Sequence, residues 1–336
     1  MEITEPRRGY YHGDINHFIS HEGKKWLNNM VIEDKEGSIV GFIGGPPCPD
    51  FSIAGKNEGI TGKNGRLTNT YKTLILNNTP DFFVFENVKG LWSTNKHRKE
   101  YDKLKESFKR KGYILIDRLV NALEYGVPQD RDRVILFGIH RSVVNTEAKD
   151  LRKYFESKFD WGIANQTSLE EMKNWKWPDQ TIFEEDLPVP CPEGIRKDIT
   201  VEYWFKKNNV HTHPNACDYF KPRQGIEKIQ RICEGDVSRK SFKRLHRWRY
   251  SPTVAYGNNE VHLHPYKCRR LSVAEALSIQ SMPANFVMSP TLSLTDKFKI
   301  ISNGVPYLMS TTIGMYIRGF LLEYVDKSFI TTTKFL

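Results

Sequence analysis

Two short apolar runs, each ending in a glycine-rich or polar loop, constrain this chain most. Ser38-Ile39-Val40-Gly41-Phe42-Ile43 leads into Gly44-Gly45-Pro46-Pro47, and Asp81-Phe82-Phe83-Val84-Phe85 stops at Glu86-Asn87. Apolar runs of this length bounded by turn residues read as buried strands. Thr68 to Leu76 reads as a helix between them, and Arg98 to Lys111 as a charged amphipathic helix after them. Tyr113 to Leu119 and Arg133 to Ile139 add two more strands. Strands alternating with helices predict an α/β domain around a mainly parallel sheet.

That rhythm stops near residue 145. From there to about 265 the chain is rich in Trp, Lys, Asn and Pro, and its elements look short, which suggests a separate, irregular domain. After Cys268 regular helices return: Leu271 to Ser281, then the long apolar Pro306 to Glu323, expected to pack back on the first domain. The expected division is therefore 1–145, 146–265 and 266–330. No apolar run approaches the ~20 residues that a membrane helix needs. The N-terminus shows no basic start followed by an apolar core, as a secretory signal would. The cytoplasm is the expected address, with no membrane partner.

Formal net charge is +10 over 336 residues. Such an excess favours a polyanionic partner, of which nucleic acid is the commonest, although a merely basic protein has the same balance. The five cysteines, Cys48, Cys191, Cys217, Cys233 and Cys268, form no Cys-x-x-Cys pair. Scattered cysteines of odd number read as reduced thiols rather than a disulfide or zinc framework.

Ligands in open α/β sheets bind beyond the carboxyl ends of the strands. Cys48 lies there, between two prolines, on the loop after the first run. A lone cysteine is most often a small core hydrophobe. A loop stiffened by prolines is instead a place for a positioned nucleophile. Glu86 follows four apolar residues directly, and burying a carboxylate there is costly unless it is paired or used. It can be a strand-end ion pair with Arg131 or Arg133, or a hydrogen-bond partner for a heterocycle.

Pro-Pro-Cys-Pro-Asp-Phe-Ser, Glu-Asn-Val-Lys-Gly and Tyr-Gly-Val-Pro-Gln-Asp-Arg-Asp-Arg-Val, in that order, resemble three blocks of the cytosine-5 DNA methyltransferase family. Arg269-Arg270-Leu271-Ser272-Val273-Ala274-Glu275-Ala276 and Ser302-Asn303-Gly304-Val305-Pro306 resemble two later ones. The resemblance runs from about residue 10 to 325 and is weakest over 145–250. It implies a Rossmann-like S-adenosylmethionine-dependent methyltransferase domain beside a smaller, irregular target-recognition domain, with duplex DNA as substrate in a restriction–modification setting. A cognate restriction endonuclease is then a functional partner.

The resemblance also implies roles. The thiolate of Cys48 adds to C6 of cytosine, which splits one hard step into easier ones. Glu86 hydrogen-bonds the N3 and N4 edge and offsets charge that develops in the ring. Arg131 and Arg133 correspond to the basic pair that orients the loop and holds the base or its phosphate. The target must be flipped out of the stack. Gly13-Asp14-Ile15 resembles the Gly-Asp-Ile block whose aspartate accepts from the adenine amine, and Asp14 alone would be an ordinary turn residue. Ile15, Pro46 and Leu67 would line the same cofactor pocket, with Asn303 and Gly304 near the methionine end. The family's opening Phe-x-Gly-x-Gly loop and the acidic strand after it have no counterpart here, and no Gly-x-Gly occurs in the chain. A companion polypeptide supplying that loop, a truncated gene, and an inactive homologue that binds DNA are the readings this leaves open.

Between Lys221 and Arg249 stand ten Lys or Arg against three acidic residues. Such a run is often a solvated face. Beside a base-modifying domain, Arg239, Lys240, Lys243, Arg244, Arg247 and Arg249 are expected to contact the DNA backbone, with Ser52 on the nucleophile loop. Ser251-Pro252-Thr253-Val254-Ala255-Tyr256-Gly257 resembles the end of the recognition domain, where Thr253 orients the reading elements. The His-x-His pairs His211/His213 and His262/His264 lack the accompanying Cys or carboxylate cluster of a metal site, and no metal is expected. A transfer-RNA cytosine methyltransferase on the same scaffold would carry a Cys-Phe-Thr motif, which is not seen.

Overall fold

The computed structural model describes residues 8–47, 65–163, 168–221, 225–239, 241–254, 256 and 261–325. The chain forms two compact units. One comprises Met1–Leu119, Arg133–Phe159 and Gly319–Leu336, the other Val120–Asp132 and Asp160–Arg318.

In the first unit, helix α1 (His21–Lys35) leads to strand β1 (Gly41–Gly44), helix α2 (Gly65–Asn78) and strand β2 (Phe82–Val88). Helices α3 (Gly90–Ser93) and α4 (Asn95–Arg110) follow, then strands β3 (Tyr113–Asn121) and β5 (Asp132–His140) and helix α5 (Leu151–Lys158); the short β4 (Gln129–Asp130), between β3 and β5 along the chain, belongs to the second unit. The main sheet has the order β1-β2-β5-β3. β1 runs parallel to β2, with Phe42 opposite Phe83. β5 runs antiparallel to β2, with Phe85 opposite Leu136. The sheet is therefore mixed, which corrects the expectation of a mainly parallel one. Only residues 122–131 join β3 to β5, too few for the crossover helix that a parallel neighbour needs.

Strand alternation sends Phe83 and Phe85 to one face, where they pack with Tyr101, Leu104 and Phe108 of α4. Those three, with His97, recur at helical spacing along one side of an otherwise charged helix. Each such aromatic contributes roughly 1.5–3 kcal/mol by leaving water. On the opposite face Phe137 meets Phe159 and Phe320, and Phe155 stacks edge-on against Phe320. Asp81 fastens the start of β2, its carboxylate accepting from Lys35 Nζ at 2.7 Å and from Val40 N at 2.8 Å.

In the second unit regular elements are short: helices α6 (Leu169–Asn174), α7 (Val201–Lys207), α8 (Ile226–Gln230), α9 (Val273–Ile279) and α10 (Leu294–Asn303). Two-residue ladders join β4 to Ser251–Pro252 and Lys243–Arg244 to His262–Leu263. Helix α9 starts at a capping box between Ser272 and Glu275, and all seven of its residues are buried. It shares one core with Val201, Phe205, Leu245 and Val254, and another with Phe298 and Ile301. Residues 266–318 thus cluster with 160–265. Helix α11 (Tyr307–Tyr324) brings its end, from Gly319 on, into the first unit. Among the described residues no helix is long and apolar enough to cross a membrane.

Candidate active site

Strand β2 continues through Val88, so Glu86 lies inside it rather than after it. The register sets Glu86 opposite Ile135 and Val88 opposite Arg133. Diagonal neighbours on an antiparallel pair share a face, and this brings Glu86 and Arg133 together. Arg133 Nε donates to Glu86 Oε1 at 2.7 Å, with side chains 11% and 18% exposed. A charge-assisted bond of this length offsets much of the cost of withdrawing both groups from water.

The loop that leads to Cys48 passes the other oxygen of that carboxylate. A Cβ at Gly45 would stand 2.7 Å from Glu86 Oε2, so a larger residue there would push on that carboxylate, which Arg133 holds. Tyr71 of α2, which sequence reasoning missed, braces the strands beneath. Its hydroxyl lies 3.0 Å from the Phe42 carbonyl and 2.8 Å from that of Val84, and burial pushes the phenol well above its usual range. The only sequence signal was a tyrosine within an otherwise ordinary helix. Cys48 and Ser52 lie outside the described residues.

The cofactor candidates of the first unit are Asp14, Ile15, Pro46 and Leu67. Asp14 caps the 3-10 turn Ile15–Ile19, and its Oδ1 accepts from the backbone and side-chain nitrogens of Asn16, both at 2.9 Å. Asn16 in turn accepts from Thr70 Oγ1 at 2.7 Å, which ties this turn to α2, where Leu67 sits. Ile15 is exposed, and Pro46 and Leu67 are half-buried. A carboxylate acceptor and apolar side chains such as these are the residue types that suit an adenine with its exocyclic amine.

Arg131, Asn303 and Gly304 belong to the second unit. Asn303 ends α10 and Gly304 caps it. Arg131 is buried, and Nη2 donates to the carbonyls of Ser302 at 2.8 Å and Gly304 at 3.0 Å, while Nη1 reaches Val254 O at 3.3 Å. Thr253 Oγ1 donates to Asp130 O at 2.6 Å.

The basic run divides sharply. Arg244 is fully buried beneath Phe183, 3.6 Å from the ring centroid, and its three nitrogens donate to the carbonyls of Ile229, Ile232, His264 and Lys267. Desolvation lowers its pKa to about 10. Arg247 is buried too, forked onto Glu234 with a third bond to Leu187 O at 2.7 Å. These two arginines hold the unit together from inside and do not face a phosphate, because folding spends their donors on buried acceptors. Arg239, paired with Asp236 at 2.9 Å, is exposed; Lys243 and Arg249 are half-buried; Lys240 lies outside the described residues. His262 and His264 are buried, and among the described residues no cluster of three His, Cys, Asp or Glu is placed to hold a metal ion.

The sequence model of the C-5 cytosine-specific DNA methylases matches residues 12–318. The Type II methyltransferase M.NmeDI of Neisseria meningitidis serogroup C is 49% identical over 331 residues, spanning 98% of this chain and 75% of that protein. Among solved structures, a candidate DNA modification methyltransferase encoded within an E. coli prophage has a TM-score of 0.57 at 19% identity, covering 92% of this chain and 85% of its own. The S. pombe Dnmt2 methyltransferase has a TM-score of 0.53 at 12% identity, covering 93% and 84%. The chain belongs to the C-5 cytosine-specific DNA methylase family. Its fold is shared with these two methyltransferase structures.

Proposed function

We propose that this chain methylates C5 of one cytosine within a specific duplex DNA sequence, through a covalent bond between Cys48 and C6 of a base flipped out of the stack. The observation that carries the reading is the Glu86–Arg133 pair, with the loop toward Cys48 pressed against the same carboxylate at Gly45. Cys48 attacks as the thiolate, and the electron pair it delivers leaves C5 nucleophilic. Glu86 bonds the N3 and N4 edge of the base and offsets charge that grows there, while Arg133 holds the carboxylate in place. S-adenosylmethionine, when bound, supplies the methyl group; Asp14, Ile15, Pro46 and Leu67 would hold its adenine and Asn303 with Gly304 its far end. Loss of the C5 proton to a base and expulsion of the thiolate then free 5-methylcytosine and restore Cys48.

The partly exposed Arg239, Lys243 and Arg249, with Lys240 and Ser52, supply backbone contacts to the duplex. The Type II relatives support a role in protecting a cognate restriction site in the cytoplasm. The decisive experiment is covalent trapping on duplex DNA with 5-fluorocytosine at the target, in the presence of S-adenosylmethionine. It is run with and without an added polypeptide bearing a Phe-x-Gly-x-Gly loop. An adduct mapped to Cys48 by mass spectrometry is expected, because fluorine does not leave as a proton does. No adduct under either condition overturns the reading.

A further inference from the structure

Four stretches far apart in sequence meet in one buried polar knot of the second unit. Gln129 is fully buried; its Oε1 accepts from Val254 N at 3.2 Å and its Nε2 lies 3.3 Å from Gln280 Oε1. Gln280 passes the chain of bonds on, donating to Ile301 O at 2.6 Å. Arg131 closes it, bonded to Val254 on one side and to Ser302 and Gly304 on the other. Thr253 bonds the backbone of Asp130 between them. The next residue, Ser281, holds a left-handed φ of 55°, and its hydroxyl accepts from Leu308 N at 3.0 Å at the start of α11. Non-glycine residues keep such a conformation only where their surroundings fix it.

The geometry points to Arg131 as a positioning residue: with Gln129 and Gln280 it locks the Ser302–Gly304 turn to the segment 251–254, so that the cofactor-side turn takes its shape from the recognition-side segment. No donor of the knot need touch a base or a phosphate for this. The parts have two-sided bonds in a nearly dry interior, where a lost partner is expensive and a shift on one side is passed to the other. The consequence for catalysis rests on the reading above that Asn303 and Gly304 hold the cofactor. The lock itself does not.

Thr253→Val tests it, since Thr253 is exposed and the substitution removes one hydroxyl from the recognition side alone. Backbone amide exchange at residues 302–305 should accelerate about fivefold, the worth of one hydrogen bond. Helix α6, capped independently by Ser168 and Glu171 in the same unit, should exchange as before. Faster exchange confined to residues 129–131 and 251–254 overturns the lock. In methyl-transfer assays the same variant should raise KM for S-adenosylmethionine by a similar factor, a larger change than any in kcat, a split that general loosening would not give. An unchanged cofactor KM in an active enzyme overturns the functional half. Exchange that spreads in a preparation without any methyl transfer supports the lock and counts against the proposed activity instead.

Discussion

Across the antiparallel pair β2–β5, Arg133 Nε reaches Glu86 Oε1 at 2.7 Å, one step diagonal to the register that sets Val88 opposite Arg133. The pair fixes the direction in which the carboxyl group presents itself, so that Glu86 meets the N3 and N4 edge as the thiolate's electron pair enters the ring and makes N3 more basic. Glu86→Gln keeps the shape and removes the charge. Single-turnover methyl transfer should fall by about 10²–10³-fold, the loss usual for a preorganised electrostatic group. Duplex affinity, read by anisotropy, should stay within about threefold of the unmodified protein, because the base edge is only one contact among many. An undiminished rate would remove Glu86 from the chemistry.

Arg244 and Arg249 stand five positions apart in one basic run and should behave in opposite ways. Arg244→Ala leaves the carbonyls of Ile229, Ile232, His264 and Lys267 without their donor. Unsatisfied buried acceptors cost about 1–3 kcal/mol each, so the melting temperature should drop by many degrees. Arg249→Ala should leave melting nearly unchanged and reduce the slope of log affinity against log salt by about one unit. A native melting point for Arg244→Ala would mean its bonds carry no weight.

His262 is completely buried, and desolvation lowers its pKa from 6.5 to about 3. The folded protein thus refuses a proton that the unfolded chain accepts. Its neutral form contributes full stability above pH 6.5, and that contribution is lost as pH falls from 6.5 toward 3. At pH 5 the loss is about 2 kcal/mol. His262→Leu should therefore narrow the gap between melting temperatures at pH 7.5 and pH 5. His246 and His264 shift in the same direction and for the same first cause, so part of the acid sensitivity remains. A gap as wide as in the unmodified protein would show that His262 is not among the groups responsible.

What the sequence disclosed follows from what periodicity can encode. Phe83 and Phe85 on β2, and Tyr101, Leu104 and Phe108 on α4, announce their faces by spacing alone. Strand direction is not written there: β5 had to turn back along β2 because residues 122–131 are too few to cross over. The reach of β2 through Glu86-Asn87-Val88 was equally hidden, since polar residues in a strand resemble its end. Arg244 shows the sharper limit. Between Lys243 and Leu245 it carries no mark that four carbonyls from 229 to 267 will converge on it, and a run of positive charge on paper becomes part surface, part skeleton. Glu86 and Arg133 were each legible as candidates, but that they form the pair, rather than Glu86 with Arg131, needed the register.

The bare Cα at position 45 has an outcome for anyone wishing to watch this protein on a chromosome. A single methyl group there would be thrust into the carboxylate of Glu86, itself pinned by Arg133, while touching none of the basic side chains further along the chain. Gly45→Ala should give a silent occupant: a molecule that still finds and grips its sites yet leaves no chemical mark behind, so that where it lands and what it writes can be mapped apart.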